Sequence, residues 1–262
     1  MTRPAPEPRP LPTIDLLGRS IHAITEQECI SHVMEELAAE RGGWIVTPNL
    51  DHLRRLVQDK EFARLCGGAT LHVPDGRPLL WAAKLQGTPL PGLVAGSNLI
   101  RSLSSALGEA KRSAYFLGGD PGTAEAAAEK LQAEFPGLVI AGSSCPPFGF
   151  EKEEAYVSAM HEELRSKDPD VVWVALGSPK QEVLIESLRE LLPRAWFAGI
   201  GISFSFVSGD VKRAPRWMQR TGLEWLHRLS QEPRRLARRY LIDGLPFAAR
   251  LLGTSALRRL QR

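Results

Sequence analysis

The 262-residue sequence is poor in cysteine, in long apolar runs and in the common nucleotide-binding fingerprints. Its three cysteines, Cys29, Cys66 and Cys145, are odd in number and lack metal-site spacing, which argues against a disulfide framework and for reduced, mostly buried thiols. No apolar stretch approaches the ~18 residues of a transmembrane helix, and no charged-then-apolar leader opens the chain, so the expectation is a cytosolic protein. Neither G-x-G-x-x-G nor a Walker A loop is present, which argues against a dinucleotide oxidoreductase and a P-loop nucleotidase. No nucleic-acid reading motif is found, and nucleic acid is not an expected partner.

Charge is present but unevenly distributed. The net charge of +3 combines a basic tail with an acidic body: residues 212–262 hold 13 of the 33 Lys/Arg and only 3 of the 30 Asp/Glu. Such asymmetry suits a tail that meets phosphate, in nucleic acid, on an anionic membrane or in a nucleotide diphosphate. In the tail, Trp217, Leu223, Trp225, Leu226 and Leu229 are interleaved with arginine, and Phe247, Leu251, Leu252, Leu257 and Leu260 alternate with Arg250, Arg258 and Arg259. Two readings stay open: basic amphipathic helices at a membrane interface, or a solvated charged face on a packed helical appendage. An exposed apolar tail also permits a homo-oligomer.

Taken in order, residues 1–12 carry five prolines and read as a disordered leader. Thr13 to Ile24 reads as a strand pair turning at Gly18, and Thr25 with Glu28 forms a capping box for a helix to about Glu40. Trp44-Ile45-Val46 and Leu71-His72-Val73 have the content of buried strands and end on Thr47-Pro48-Asn49 and Pro74-Asp75-Gly76. Ligands of open α/β sheets bind beyond the carboxyl ends of strands, so Thr47, Asn49 and Asp75 become candidates for one crevice. Asp75-Gly76 is equally explicable as a turn. His52, with no second metal-type residue at helical spacing, reads as a solvated or capping histidine.

Further on, the strand Ser113–Leu117 ends in Gly118-Gly119-Asp120-Pro121-Gly122, which suits a phosphate at a helix N-terminus but is also an ordinary βα turn. Leu138–Ala141 and the strongly apolar Val171–Leu176 are further strands, the latter leading to Pro179-Lys180-Gln181 at another helix start. Ala195–Ala198 and Ile202–Phe206 close the domain around Gly199 and Gly201. The alternation predicts an α/β fold: a Rossmann-like, mostly parallel sheet with helices on both faces over 13–211, plus a basic helical appendage over 212–262.

Six motifs in order carry a resemblance: T-P-N-x-D-H-L from Thr47, V-P-D-G from Val73, G-x-P-L-P from Gly87, F-L-G-G-x-P-G from Phe116, A-L-G-S-P-K-Q-E from Ala175, and R-A-P-R-W with the following G-L-E-W-L segment from Arg213. Over Ile14 to Tyr240 the chain resembles the WecG/TagA/CpsF glycosyltransferases. The resemblance implies inverting, metal-independent transfer of a sugar, with no cofactor, from a UDP-sugar to an undecaprenyl-diphosphate-linked saccharide at the inner face of the cytoplasmic membrane. N-acetylmannosamine, its uronate and glucose are the candidate sugars. It assigns Asp75 as general base with Thr47 beside it, Gln181 to the donor, and Arg228, Arg235 and Arg238 to the diphosphate. Asn49, Arg77, Gly118, Gly119 and Lys180 complete the expected substrate-binding set. The chain departs from the family's E-R-V-x-G-x-D run at Leu93 and Asn98, which replace an arginine and an aspartate, and Arg77 or Lys84 is the expected compensation. The competing class is a non-catalytic α/β module binding membrane or phosphate, against which a carboxylate at the centre of the crevice argues.

Overall fold

The computed structural model describes residues 10–261; the proline-rich leader up to residue 9 lies outside the described residues. A β-hairpin, β1 (Thr13–Leu16) and β2 (Arg19–His22), precedes helix α1 (Glu26–Ala38), whose start is the expected capping box of Thr25 and Glu28. The six-stranded sheet is parallel and ordered β4-β3-β8-β7-β5-β6. Its strands are β3 (Gly43–Val46), β4 (Leu71–His72), β5 (Ser113–Gly118), β6 (Val139–Ser144), β7 (Val171–Ala175) and β8 (Trp196–Gly199).

Period-two alternation sorts the side chains to two cores. Along β7, Val171, Trp173 and Ala175 pack on one face with α1, α5 (Gly96–Glu109) and α6 (Thr123–Glu134). Val172 and Val174 pack on the other with α3 (Lys60–Cys66), α7 (Glu154–Lys167) and α8 (Lys180–Leu191). Helices α2 (Leu50–Gln58) and α4 (Arg77–Leu85) stand at the β3 and β4 end. Ala195–Ala198 falls on β8 as read, whereas Ile202–Phe206 does not extend the sheet: Ser203–Ser208 is a short helix, α9, with Phe204 and Val207 facing the core shared with α6.

The tail folds as α10 (Arg216–Thr221), α11 (Glu224–Gln231), α12 (Pro233–Ala237), a wide π-type turn over Arg238–Gly244, and α13 (Leu245–Leu260). Phe247 and Leu251 of α13 are buried with Leu79 and Ala82 of α4, Leu53 of α2 and Leu16 and Ile21 of the hairpin, forming a third core. Polar contacts repeat the attachment: Arg239 Nε lies 3.0 Å from Asp51 Oδ2, and Arg258 pairs with Asp15. The appendage is therefore packed on the body, yet Trp217, Leu226, Leu241, Ile242, Leu257 and Leu260 stay exposed.

Candidate active site

A cavity of 1820 Å³ runs along the carboxyl ends of the sheet, lined by the loops after the strands and roofed by the appendage. At one end, hydrogen bonds continue beyond β3 and β4 and fix the loops: Val73 N–H donates to Val46 O and Asp75 N–H to Pro48 O, both at 2.9 Å, and Val94 N–H donates to Pro74 O at 2.8 Å. Asp75 is thereby held beside Thr47 and Asn49, and all three line the cavity. The Asn49 oxygen caps α2, accepting from the Asp51 and His52 N–H groups at 3.1 Å each.

Burial is the main force on the Asp75 carboxyl, pushing its pKa up to about 7; Glu224 from the appendage adds to this, while Arg213, the Gly96 N–H and Arg228 pull the other way. An acid with a pKa near neutrality, set in a cleft by desolvation and named charges, is what a general base requires.

Gln181 is buried and lines the cavity; its Nε2 donates to Glu182 Oε1 at 2.9 Å and its Oε1 accepts from Gly201 N–H at 3.3 Å. Gly199 must lack a side chain for this arrangement, since a Cβ there would meet Gln181 Nε2 at 2.5 Å. His52 is not solvated: it is buried, with Nε2 3.7 Å from Glu182 Oε1, and burial lowers its pKa against the opposing pull of Glu182.

Other expected residues divide. Arg77 lines the cavity, as do Gly119, Lys180, Arg228 and Arg235. Lys180 stands at the rim, paired with Glu151 at 2.9 Å. Gly118 does not line it; a Cβ at Gly118 would sit 2.8 Å from Ala175 O, so the glycine serves the close approach of β5 to β7. Arg238 is exposed and outside the cavity lining, and Arg239 lines it instead. Arg235 and Arg239 are four apart, the spacing of one helical face, and that was the available signal.

One functional candidate, Arg213, was not legible beforehand. Arg213 Nη1 donates to Asn98 Oδ1 at 2.6 Å and its Nε pairs with Glu224 Oε1 at 3.1 Å, so the Asn98 departure is bridged to the appendage. Leu93 lines the cavity, and of the two proposed compensations Arg77 lines it while Lys84 does not. A literal D-x-D, Asp168-Pro169-Asp170, lies at the opposite, amino end of β7, where Asp170 binds Arg112 at 2.6 Å and Ser113 N–H at 2.8 Å. Among the described residues no group of three or more His, Cys, Asp or Glu is gathered as metal ligands would be.

The model of the "Glycosyl transferase WecG/TagA/CpsF family" matches residues 14–261. The chain belongs to this glycosyltransferase family. It is 35% identical over 202 residues to the N-acetylglucosaminyldiphosphoundecaprenol N-acetyl-beta-D-mannosaminyltransferase of Bacillus spizizenii, covering 77% of this chain and 76% of the relative. It is 31% identical over 197 residues to the Bacillus subtilis protein of the same name, covering 75% of each. The glycosyltransferase is thus an enzyme of sugar transfer whose family match includes the whole appendage except the last residue. No helix among its described residues is long and apolar enough to cross a membrane.

Proposed function

We propose that this glycosyltransferase moves an N-acetylmannosamine-type sugar from a UDP donor to an N-acetylglucosamine on undecaprenyl diphosphate, working peripherally at the inner face of the cytoplasmic membrane. The observation that carries the reading is Asp75, a carboxyl raised to about 7, set in the cavity wall opposite arginines of the appendage. The relatives' printed name supplies the acceptor and the transferred sugar.

In the transfer, ionised Asp75 takes the proton of the acceptor hydroxyl as that oxygen attacks the anomeric carbon. The bond between that carbon and the diphosphate oxygen breaks on the opposite face, giving inversion, and an α-linked donor yields the β-linked product. Arg228, Arg235 and Arg239 offset the charge developing on the departing diphosphate. Gln181, with one N–H committed to Glu182, keeps its other N–H for the donor. On this reading the diphosphate charge is met by guanidinium groups and no metal is required.

The test is turnover of a panel of UDP-sugars on a short-chain polyprenyl-diphosphate N-acetylglucosamine, comparing wild type with Asp75→Asn. Loss of a general base is expected to lower kcat by about 10²–10⁴-fold while UDP binding persists. Undiminished transfer by the variant would remove Asp75 from the mechanism.

A further inference from the structure

The far end of the cavity from Asp75 holds an aromatic side chain that neither the core nor the chemistry above uses. Phe148, in the loop after β6, lines the cavity and is 97% exposed. Burying such a ring is ordinarily worth roughly 1.5–3 kcal/mol, so a rigidly presented bare phenyl ring at a cavity mouth is a binding feature to be explained.

The presentation is rigid. Pro146 and Pro147 fix the backbone before Phe148. On one side the Cys145 thiol donates to Gly119 O at 3.3 Å, and burial raises its pKa. On the other, Phe150 is buried edge-on against Tyr156 at 5.9 Å. Lys180 places its ammonium 4.5 Å from the centre of the Phe148 ring, and the ion pair with Glu151 holds it there. One face of the ring is therefore engaged by a cation, and the rest of the ring is left for a planar partner.

Position along the sheet says which planar partner. Asp75 follows β4 and Phe148 follows β6, at opposite edges of the order β4-β3-β8-β7-β5-β6. Five strand spacings separate them by roughly 24 Å, a length comparable with an extended nucleoside diphosphate sugar plus the acceptor's reacting end. Between them, exposed Asp120 projects from the turn after β5 and lines the cavity. A carboxylate there opposes a phosphate but can accept hydrogen bonds from the hydroxyls of a ribose, the partner that acidic side chains take in nucleotide-binding α/β folds. With the sugar at Asp75 and the diphosphate under the appendage arginines, the base falls at Phe148.

We propose that Phe148 is the stacking platform for the donor's nucleobase, with the Asp120 turn beside it taking the ribose. The assignment rests on the nucleotide-donor reading above and extends it to a subsite. It also gives Lys180 its role, as the support of the platform rather than a ligand of the diphosphate.

Isothermal titration of the full chain with UDP and with ribose 5-diphosphate, which lacks the base, separates the possibilities. Base stacking is worth about 1–3 kcal/mol, so Phe148→Ala should weaken UDP about tenfold or more. It should leave ribose 5-diphosphate unchanged, and Phe148→Trp should keep wild-type affinity for UDP. Equal loss of both ligands, or no loss of UDP, would overturn the platform while the donor reading stands. Failure of the wild type to bind UDP at all would instead overturn the donor reading and the platform with it.

Discussion

At Asp75 two demands on one carboxyl compete. Burial and Glu224 keep it protonated, while Arg213, Arg228 and the Gly96 N–H favour the ionised form, and the balance lies at about 7. Because this is far above the ordinary 3.8, the folded protein holds a proton that the unfolded chain releases. The contribution of Asp75 to stability is accordingly full below about pH 4, falls as pH rises towards about 7, and changes no further above it. Activity runs the opposite way, since the base must be ionised: kcat/KM should climb through a limb near pH 7 and level off above. Glu224→Gln removes the one carboxylate that pushes this pKa upward and frees Arg213 to favour the anion. The acid limb of kcat/KM should then move to lower pH, and a limb that stays in place in a pH-rate profile of the variant would show that Glu224 does not act on Asp75. Arg213 matters for a second reason. With Asn98 in place of the family's usual aspartate, its guanidinium meets one carboxylate, Glu224, and one neutral amide.

Among the elements, those whose pattern is complete within one segment were legible in the sequence. The β7 run Val171–Ala175 is apolar throughout and is buried on both faces, and the Thr25–Glu28 box fixes the start of α1. The Ile202–Phe206 run was legible only as a segment that closes the domain, because five residues with alternating serine and phenylalanine satisfy both periods; α9 forms because Phe204 and Val207, three apart, meet the core together. His52 was misjudged for another reason. Its partner Glu182 is 130 positions away and its environment is created only when α2 and α8 meet the cavity. Arg239 rather than Arg238 lines the cavity because i+3 and i+4 from Arg235 are both helical spacings, and the choice is made by the packing of the π-type turn on α2, where Arg239 pairs with Asp51. The third core shows what holds these arginines over the site. Leu251→Ala removes a fully buried side chain between α13 and α4 and should cost roughly 2–5 kcal/mol locally. Hydrogen exchange should quicken through α10–α13 while β5, β7 and β8 stay protected, and the KM for the donor should rise. Uniformly faster exchange across sheet and appendage would show that the appendage does not loosen as a separate unit.

For the whole molecule, the charge separation read from composition becomes an orientation. The acidic body, residues 1–211, and the basic tail, residues 212–262, give the protein a dipole whose positive end is the appendage roof of the cavity. Exposed Arg234, Arg238, Arg250 and Arg259 share that appendage with exposed Ile242, Leu257 and Leu260. An anionic surface attracts such a tail by about 1 kcal/mol per basic residue near it and repels the body, so the enzyme should approach appendage first, with the cavity mouth towards a lipid-linked acceptor. The electrostatic part acts over a Debye length of about 10 Å at 0.1 M salt and about 3 Å at 1 M, whereas insertion of apolar side chains survives salt. Cosedimentation with vesicles should therefore require anionic lipid at low salt and weaken steeply as salt rises. The triple change Ile242→Ser, Leu257→Ser, Leu260→Ser should abolish the salt-resistant remainder while leaving turnover of a short-chain, water-soluble acceptor intact, because none of the three lines the cavity. Binding indifferent to lipid charge would rule out the charge-directed approach, and a triple variant that sediments with vesicles at 1 M salt as wild type does would place the inserting surface elsewhere on the protein.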